Sequence, residues 1–215
     1  MRYIVYLIVF NCFSLANAGS YDDFFIAVRQ DNALVVRELL DRGFDPNTPN
    51  PQGQHALLLA LKSPSLKVAK VLVSDPKTTV EVRNASDESP LMLAALIGLT
   101  DLCKQMIDRD ADVNKPGWAP LHYAATSGSI PTIQLLLDNH AYIDAASPNG
   151  STPLMMAAMY GTDTAVKLLL DFGADATLKN TLGLTAIDFA ARAQKQVSVD
   201  LIAAALRAQK PAGSW

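Results

Sequence analysis

The property that most narrows what this chain can fold into is self-similarity at a fixed interval. Aligned on the apolar residues Leu57, Leu91, Leu121, Leu154 and Ile187, the copies lie 34, 30, 33 and 33 residues apart, and each is followed three positions later by alanine, at 60, 94, 124, 157 and 190. An in-register period of this length builds one supersecondary unit that buries its apolar face only by stacking on copies of itself. The unit is clearest from Asn149 to Asn180. Asn149-Gly150 predicts a two-residue hairpin with positive φ at both positions. Thr152 then supplies a capping hydroxyl, and Pro153 occupies the first helical position, where its missing N–H costs nothing. Leu154, Ala157 and Ala158 give a short helix one small-residue face, closed by Gly161. A second helix carries Val166, Leu169 and Leu170 at helical spacing and stops at Gly173.

The strings SPLMLAALIG, APLHYAATSG and TPLMMAAMYG, followed by DRGFDPN, DRDADVN, NHAYIDA and DFGADAT, resemble the ankyrin repeat. That resemblance implies an all-α ankyrin-repeat solenoid of helix-turn-helix units joined by β-hairpin fingers, with about six repeats including terminal caps. The expected repeats span about 21–48, 49–82, 83–114, 115–145, 146–178 and 179–207, in one ankyrin-repeat domain over 19–210 with a frayed tail at 208–215. Two copies depart from the pattern. Pro64 stands where the family has glycine and Ser74-Asp75-Pro76 interrupts the next helix, so the second repeat should be distorted at its outer end. Three residues are missing before the fourth copy, so the finger at Asn114-Lys115-Pro116-Gly117 should be shortened.

Residues 1–18 are of another kind: Arg2, an apolar run from Ile4 to Phe10, and the ending Ala16-Asn17-Ala18. This predicts a secretory signal peptide cleaved before Gly19, with an apolar run too short for a stable membrane span. Cleavage removes Cys12 and leaves Cys103 alone, so no internal disulfide can form in an oxidising compartment. Cys103 sits between Leu102 and Met106-Ile107 on the inward side of its helix and reads as core. The net charge of −3 and pI near 5.5 give no electrostatic footprint for nucleic acid or anionic lipid, so neither is an expected partner.

Along the chain, Gly19–Asp23 reads as a polar lead to a helix begun by Phe24, Phe25, Ala27 and Val28. Leu34, Val35, Leu39 and Leu40 should supply the second helix, with Arg29, Gln30, Asp31, Arg37 and Asp41 as the polar outer face of a terminal cap. In the last copy Ser198 is expected to cap a helix whose buried stripe is Leu201, Ile202, Ala205 and Leu206. No catalytic constellation emerges: His55, His122 and His140 lie in different copies and at no metal-binding spacing, and no metal or cofactor is expected. The resemblance gives His122 a structural role, bonding neighbouring backbone to lock adjacent loops. Ser74-Asp75-Pro76-Lys77 matches an S-x-x-K string, but Pro76 breaks the helix that would hold serine and lysine one turn apart. Asp112, Asp144 and Asp175 read as turn formers.

Ankyrin-like arrays usually bind through the concave side, which falls three residues before and five and six after each anchor. The candidate partner-binding residues are Glu88, Leu96, Ile97, Trp118, Met159, Tyr160, Leu182, Leu184 and Arg192. Clustered apolar and aromatic side chains on an uncovered face mark binding sites. Arg29, Lys62, Lys115 and Arg192 point to an acidic rim on the partner. The expected function is a non-enzymatic protein-binding module, monomeric when free. Resemblance to exported ankyrin-repeat proteins of Gram-negative bacteria implies a periplasmic setting, with a cell-wall hydrolase, toxin or stress enzyme as partner. A secreted effector that binds host proteins is the alternative, and an enzyme the third reading.

Overall fold

The computed structural model describes residues 19–63 and 65–209; the expected signal segment at 1–18, Pro64 and the tail from 210 onward lie outside them. Among the described residues the regular structure is helical and no strand occurs. The helices are α1 (19–29), α2 (Ala33–Asp41), α3 (Ala56–Lys62), α4 (Leu66–Ser74), α5 (Pro90–Leu96), α6 (Thr100–Ile107), α7 (Pro120–Ser127), α8 (Ile130–Asp138), α9 (Pro153–Met159), α10 (Asp163–Asp171), α11 (Ala186–Arg192) and α12 (Gln196–Gln209). The chain divides into two compact units, one ending at Asn84 and one beginning at Ala85.

In the first unit α4 packs on both α2 and α3. Phe24, Phe25, Ala27 and Val28 form the buried face of α1, with Ile26 exposed and the Phe24 ring 4.4 Å from that of Phe44. Residues 19–23 are already helical, so the expected polar lead is the first turns of α1. The stripe of α2 is Val36, Leu39 and Leu40, while Leu34 is 67% exposed. Leu34 fails as a core residue because burial follows the i, i+3, i+4 spacing, and Val36 has that spacing to Leu39 and Leu40. Asp31 is not merely an outer polar residue: its Oδ1 accepts the Val68 amide at 2.9 Å and so ties the α1–α2 turn to the first turn of α4.

The second unit has two rows. One is formed by α5, α7, α9 and α11, each packed on the next; the other by α6, α8, α10 and α12. The first row meets through Ala94, Ala95, Ala124, Ala125, Ala157, Ala158 and Ala190, all fully buried. Small side chains let backbones come close, and at Gly161 the approach is closest: a Cβ there would lie 2.3 Å from the Ala125 carbonyl oxygen. Gly161 is needed for that contact, since it does not have positive φ.

The helix starts follow the sequence. Ser89 Oγ accepts the Met92 amide at 3.2 Å and Thr152 Oγ1 that of Met155 at 3.4 Å, with Pro90, Pro120 and Pro153 in the first turn. The residue after the anchor returns the bond. Met92 Sδ accepts the Ser89 amide at 3.3 Å, Met155 Sδ that of Thr152 at 3.5 Å, His122 Nδ1 that of Ala119 at 3.1 Å and Asp188 Oδ2 that of Thr185 at 2.8 Å. His122 goes further. Since Nδ1 accepts, Nε2 carries the proton and donates to the Ser151 carbonyl at 3.0 Å, locking its helix to the next finger.

The fingers are turns without a strand ladder. In the Asn149-Gly150 finger only Gly150 has positive φ, so the expected pair of left-handed residues is replaced by a turn over Pro148-Asn149 closed by the Gly150 amide to the Ser147 carbonyl at 2.7 Å. Proline pre-sets the φ of the turn's second position, which the hairpin expectation overlooked. The same fold-back recurs at Asn50–Gln54 and Asn180–Leu184, where Asn50 Oδ1 and Asn180 Oδ1 each accept two amides. Copies are also tied across fingers: Asn114 bridges the His140 carbonyl and the Tyr142 amide, and Asn47 bridges Lys77 and Thr79 in the first unit. In the last repeat Ser198 lies inside α12 and donates to Asp163 instead of capping. Of its expected stripe, Ile202 is fully buried and Leu201, Ala205 and Leu206 are half-buried, where α12 packs on α10 and α11.

Two measurements check this packing. Gly161→Ala should lower stability by about 1–3 kcal/mol in urea unfolding, because overpacking outweighs any helical gain; an unchanged midpoint would show that α7 and α9 can separate freely. Burial holds the His122 imidazole below its ordinary 6.5, against the opposing effect of its main-chain bonds. The unfolded chain therefore takes up the proton first as pH falls, so stability is full above pH 6.5 and declines below it, by at most about 1.4 kcal/mol per pH unit. His122→Met, which retains a buried acceptor like Met92 and Met155, should flatten this slope between pH 7 and 5, read by urea unfolding at each pH.

Candidate functional site

The candidate site lies in the second unit, where the spacing of α5, α7 and α9 leaves a groove of about 210 Å³ lined by Leu96, Trp118, His122, Tyr123, Thr126 and Met156. Leu96 ends α5 and is 39% exposed. Trp118 precedes the α7 cap, half-buried, its ring edge-on to His122 with centroids 5.2 Å apart. Tyr123 and Met156 occupy the same place in successive copies, two residues after the anchor, and both are half-buried.

The polar groups that His122, Tyr123 and Thr126 bring to this groove are already bonded within the protein. Both His122 nitrogens are used, and the Thr126 hydroxyl donates to the His122 carbonyl at 2.8 Å. The Tyr123 hydroxyl donates to Glu88 Oε1 at 3.3 Å. Burial, then the negative charge of Glu88 and of Asp87, pushes the Tyr123 phenol up to about 12, so it stays a neutral donor at physiological pH. Lys115 folds onto Asp87, its side chain only 9% exposed. The groove thus presents aromatic and aliphatic surface with carboxylates at one end, which suits an apolar side chain and offers no nucleophile or proton relay.

Of the residues expected from the sequence, Leu96 and Trp118 line the groove, and Glu88 borders it through Tyr123. Ile97 and Tyr160 are exposed at the C-caps of α5 and α9, 47% and 60% respectively, outside its lining. Met159 and Leu184 are half-buried and Leu182 projects from a finger; none of the three lines it, nor does Arg192, exposed at the end of α11. Tyr123 and Met156 were missed. They lie three and four residues before the expected surface positions, on the same helical face, and a large apolar residue stands there in neighbouring copies too, as Leu59, Leu93 and Phe189. Of the cations expected to face an acidic partner rim, Lys115 is engaged by Asp87, Arg192 is exposed at the end of α11, and Arg29 and Lys62 belong to the first unit.

The other chemistry considered from the sequence is also placed. Cys103 is fully buried, and burial pushes its thiol up to about 12, which makes it a core residue. Ser74 ends α4, and Lys77 follows in a turn held by Asp75 Oδ1, so the two share no helical face. Among the described residues no group of three or more His, Cys, Asp or Glu is placed to hold a metal, and no helix is long and apolar enough to cross a membrane.

Comparison with known proteins agrees with this repeat geometry. Family models described as ankyrin repeats match residues 77–147 and 136–190, together more than half of the chain. The chain is 28% identical over 135 residues to neurogenic locus notch homolog protein 1 of Xenopus tropicalis, covering 61% of this chain and 5% of that protein. It is 36% identical over 121 residues to ankyrin repeat and SAM domain-containing protein 6 of Rattus norvegicus, covering 53% and 14%. It is also 28% identical over 138 residues to the putative palmitoyltransferase ZDHHC13 of Danio rerio, covering 61% and 21%. The chain spans a small part of each, so what their names describe does not pass to it through these matches. Period, helix pairs, turn geometry and family match agree: this chain belongs to the ankyrin-repeat family.

Proposed function

We propose that this protein is a non-enzymatic binding module of the periplasm, exported by residues 1–18, that grips another exported protein and restrains it or protects against it. The observation that carries the reading is the apolar groove of Leu96, Trp118, Tyr123 and Met156, flanked by exposed Ile97 and Tyr160 at the ends of α5 and α9. Soluble proteins rarely leave such surface uncovered unless something binds it, and Trp and Tyr are the residues whose loss most often dominates interface energy. Polar groups that are already bonded internally fit a surface used for grip. The A-x-A ending before Gly19 supports export, and the resemblance to exported ankyrin-repeat proteins supports a hydrolase, toxin or stress enzyme as the partner class.

The test is capture from periplasmic extract by residues 19–215, beside a variant with both Trp118→Ala and Tyr160→Ala. The wild type should retain an exported protein that the variant loses, with helicity kept and melting shifted by no more than about 4 °C. Equal retention by both would remove this face as the binding site. Fractionation checks the location: a chain recovered in the cytosol at full length would overturn the export reading.

A further inference from the structure

The charge pattern around the groove selects among the partner side chains that could fill it. From Ala85 to Trp215 the sequence has nine Lys and Arg against thirteen Asp and Glu, a net of −4, while residues 1–84 carry a net of +1. The lysines of the second unit are largely engaged. Lys104 and Lys167 pair with Asp108 and Asp171 on α6 and α10, Lys195 donates to the Gly161 carbonyl, and Lys115 lies against Asp87. The end of the groove beside α7 is different. Glu88 is one hydrogen bond from the lining Tyr123, and Asp87 in the same finger keeps its side chain 65% exposed despite its ion pair. The apolar slot is therefore bordered by the Glu88 carboxylate, with Asp87 and its ion-pair partner Lys115 beside it.

Size fixes the other half of the match. A cavity of about 150 Å³ is enough for a benzene ring, so a groove of about 210 Å³ has room for one large side chain. We propose that the groove receives a bulky apolar side chain of an extended peptide segment, and that a neighbouring Lys or Arg of that segment lies against Glu88 and Asp87. This rests on the protein-binding reading of the same face and adds the chemistry of its partner. The apolar residue supplies the grip through its contact with Trp118, Leu96 and Met156. The cation supplies selectivity and faster encounter, because rim charges act mainly on specificity and association.

The experiment uses two acetylated, amidated peptides with a neutral fluorophore, Gly-Ser-Gly-Lys-Leu-Lys-Gly-Ser-Gly and the same sequence with Glu in place of both Lys. Binding to the protein is followed by anisotropy at low and at raised salt. The Lys peptide should bind about tenfold more tightly, with the gap narrowing as salt rises and closing to within about threefold in the combined variant Asp87→Asn, Glu88→Gln. Asn tolerates the positive φ of 59° at position 87, so that variant keeps its turn. Leu96→Gln with Met156→Gln should remove binding of both peptides, with melting checked alongside. If both peptides bind equally and this second variant abolishes binding, the charge selectivity is overturned while the groove remains the site. If neither peptide binds up to about 1 mM, or the groove variant binds like the wild type, the proposal falls; loss of the natural partner in the Trp118, Tyr160 variant would then still uphold the broader reading.

Discussion

Every helix from α2 to α11 has seven to nine residues, shorter than the length at which a helix is stable by itself in water. The structure therefore depends on close approach between neighbouring helices, and in the second unit the alanine pairs of α5, α7 and α9 permit it. Removing side-chain bulk from that seam brings the larger residues, Leu91, Leu121 and Leu154, into a continuous buried interior. Gly161 is the limiting case, where even a methyl group would meet a carbonyl oxygen. The long apolar residues sit at the sides of the seam, so the same packing that builds the core leaves Tyr123 and Met156 partly uncovered on the other side.

Hydrogen bonds across copies fix the register of that stack. In four of the five copies the residue after the anchor accepts the N-cap amide, and the residue types vary while the task stays the same: imidazole, thioether, carboxylate. His122 alone in this set is shown passing a second bond onward, to Ser151. A buried amide left unpaired would cost about 1–3 kcal/mol, so weak sulfur acceptors are retained where a stronger one is missing. The left-handed turns follow the same logic. Asp87, Asp110, His140 and Gln194 hold positive φ at places where sibling copies have glycine, because the surrounding bonds and packing determine the turn more strongly than the residue does.

The groove follows from these two constraints together. Trp118 enters at the fingertip just before the Ala119 N-cap of the fourth copy, whose amide bonds to His122, and its indole meets the imidazole in a T-shaped contact. The carboxylates arrive from the preceding finger, where Asp87 takes the left-handed position and Glu88 reaches the Tyr123 hydroxyl. Nothing in this site needs a moving part: the polar groups of His122, Tyr123 and Thr126 are paired, and its apolar groups are held by short helices within a tightly packed row.

The sequence by itself determined the repeat, the helix starts marked by Ser89, Thr152 and the prolines, and the burial of Cys103, because these depend on local spacing and on residue types with one chemical task; the structural use of His122 came from the family resemblance. It also named Leu96 and Trp118, which line the groove, and Glu88, which borders it through Tyr123. The tertiary structure alone decided that Tyr123 and Met156 complete the groove, that Lys115 is spent on Asp87, that Ser198 bonds Asp163 instead of capping α12, and that Leu34 faces outward while Val36 is core. Each depends on a neighbour about thirty residues away or on which side of a helix a neighbour covers. Periodicity tells which residues share a face; only packing decides which face is left open.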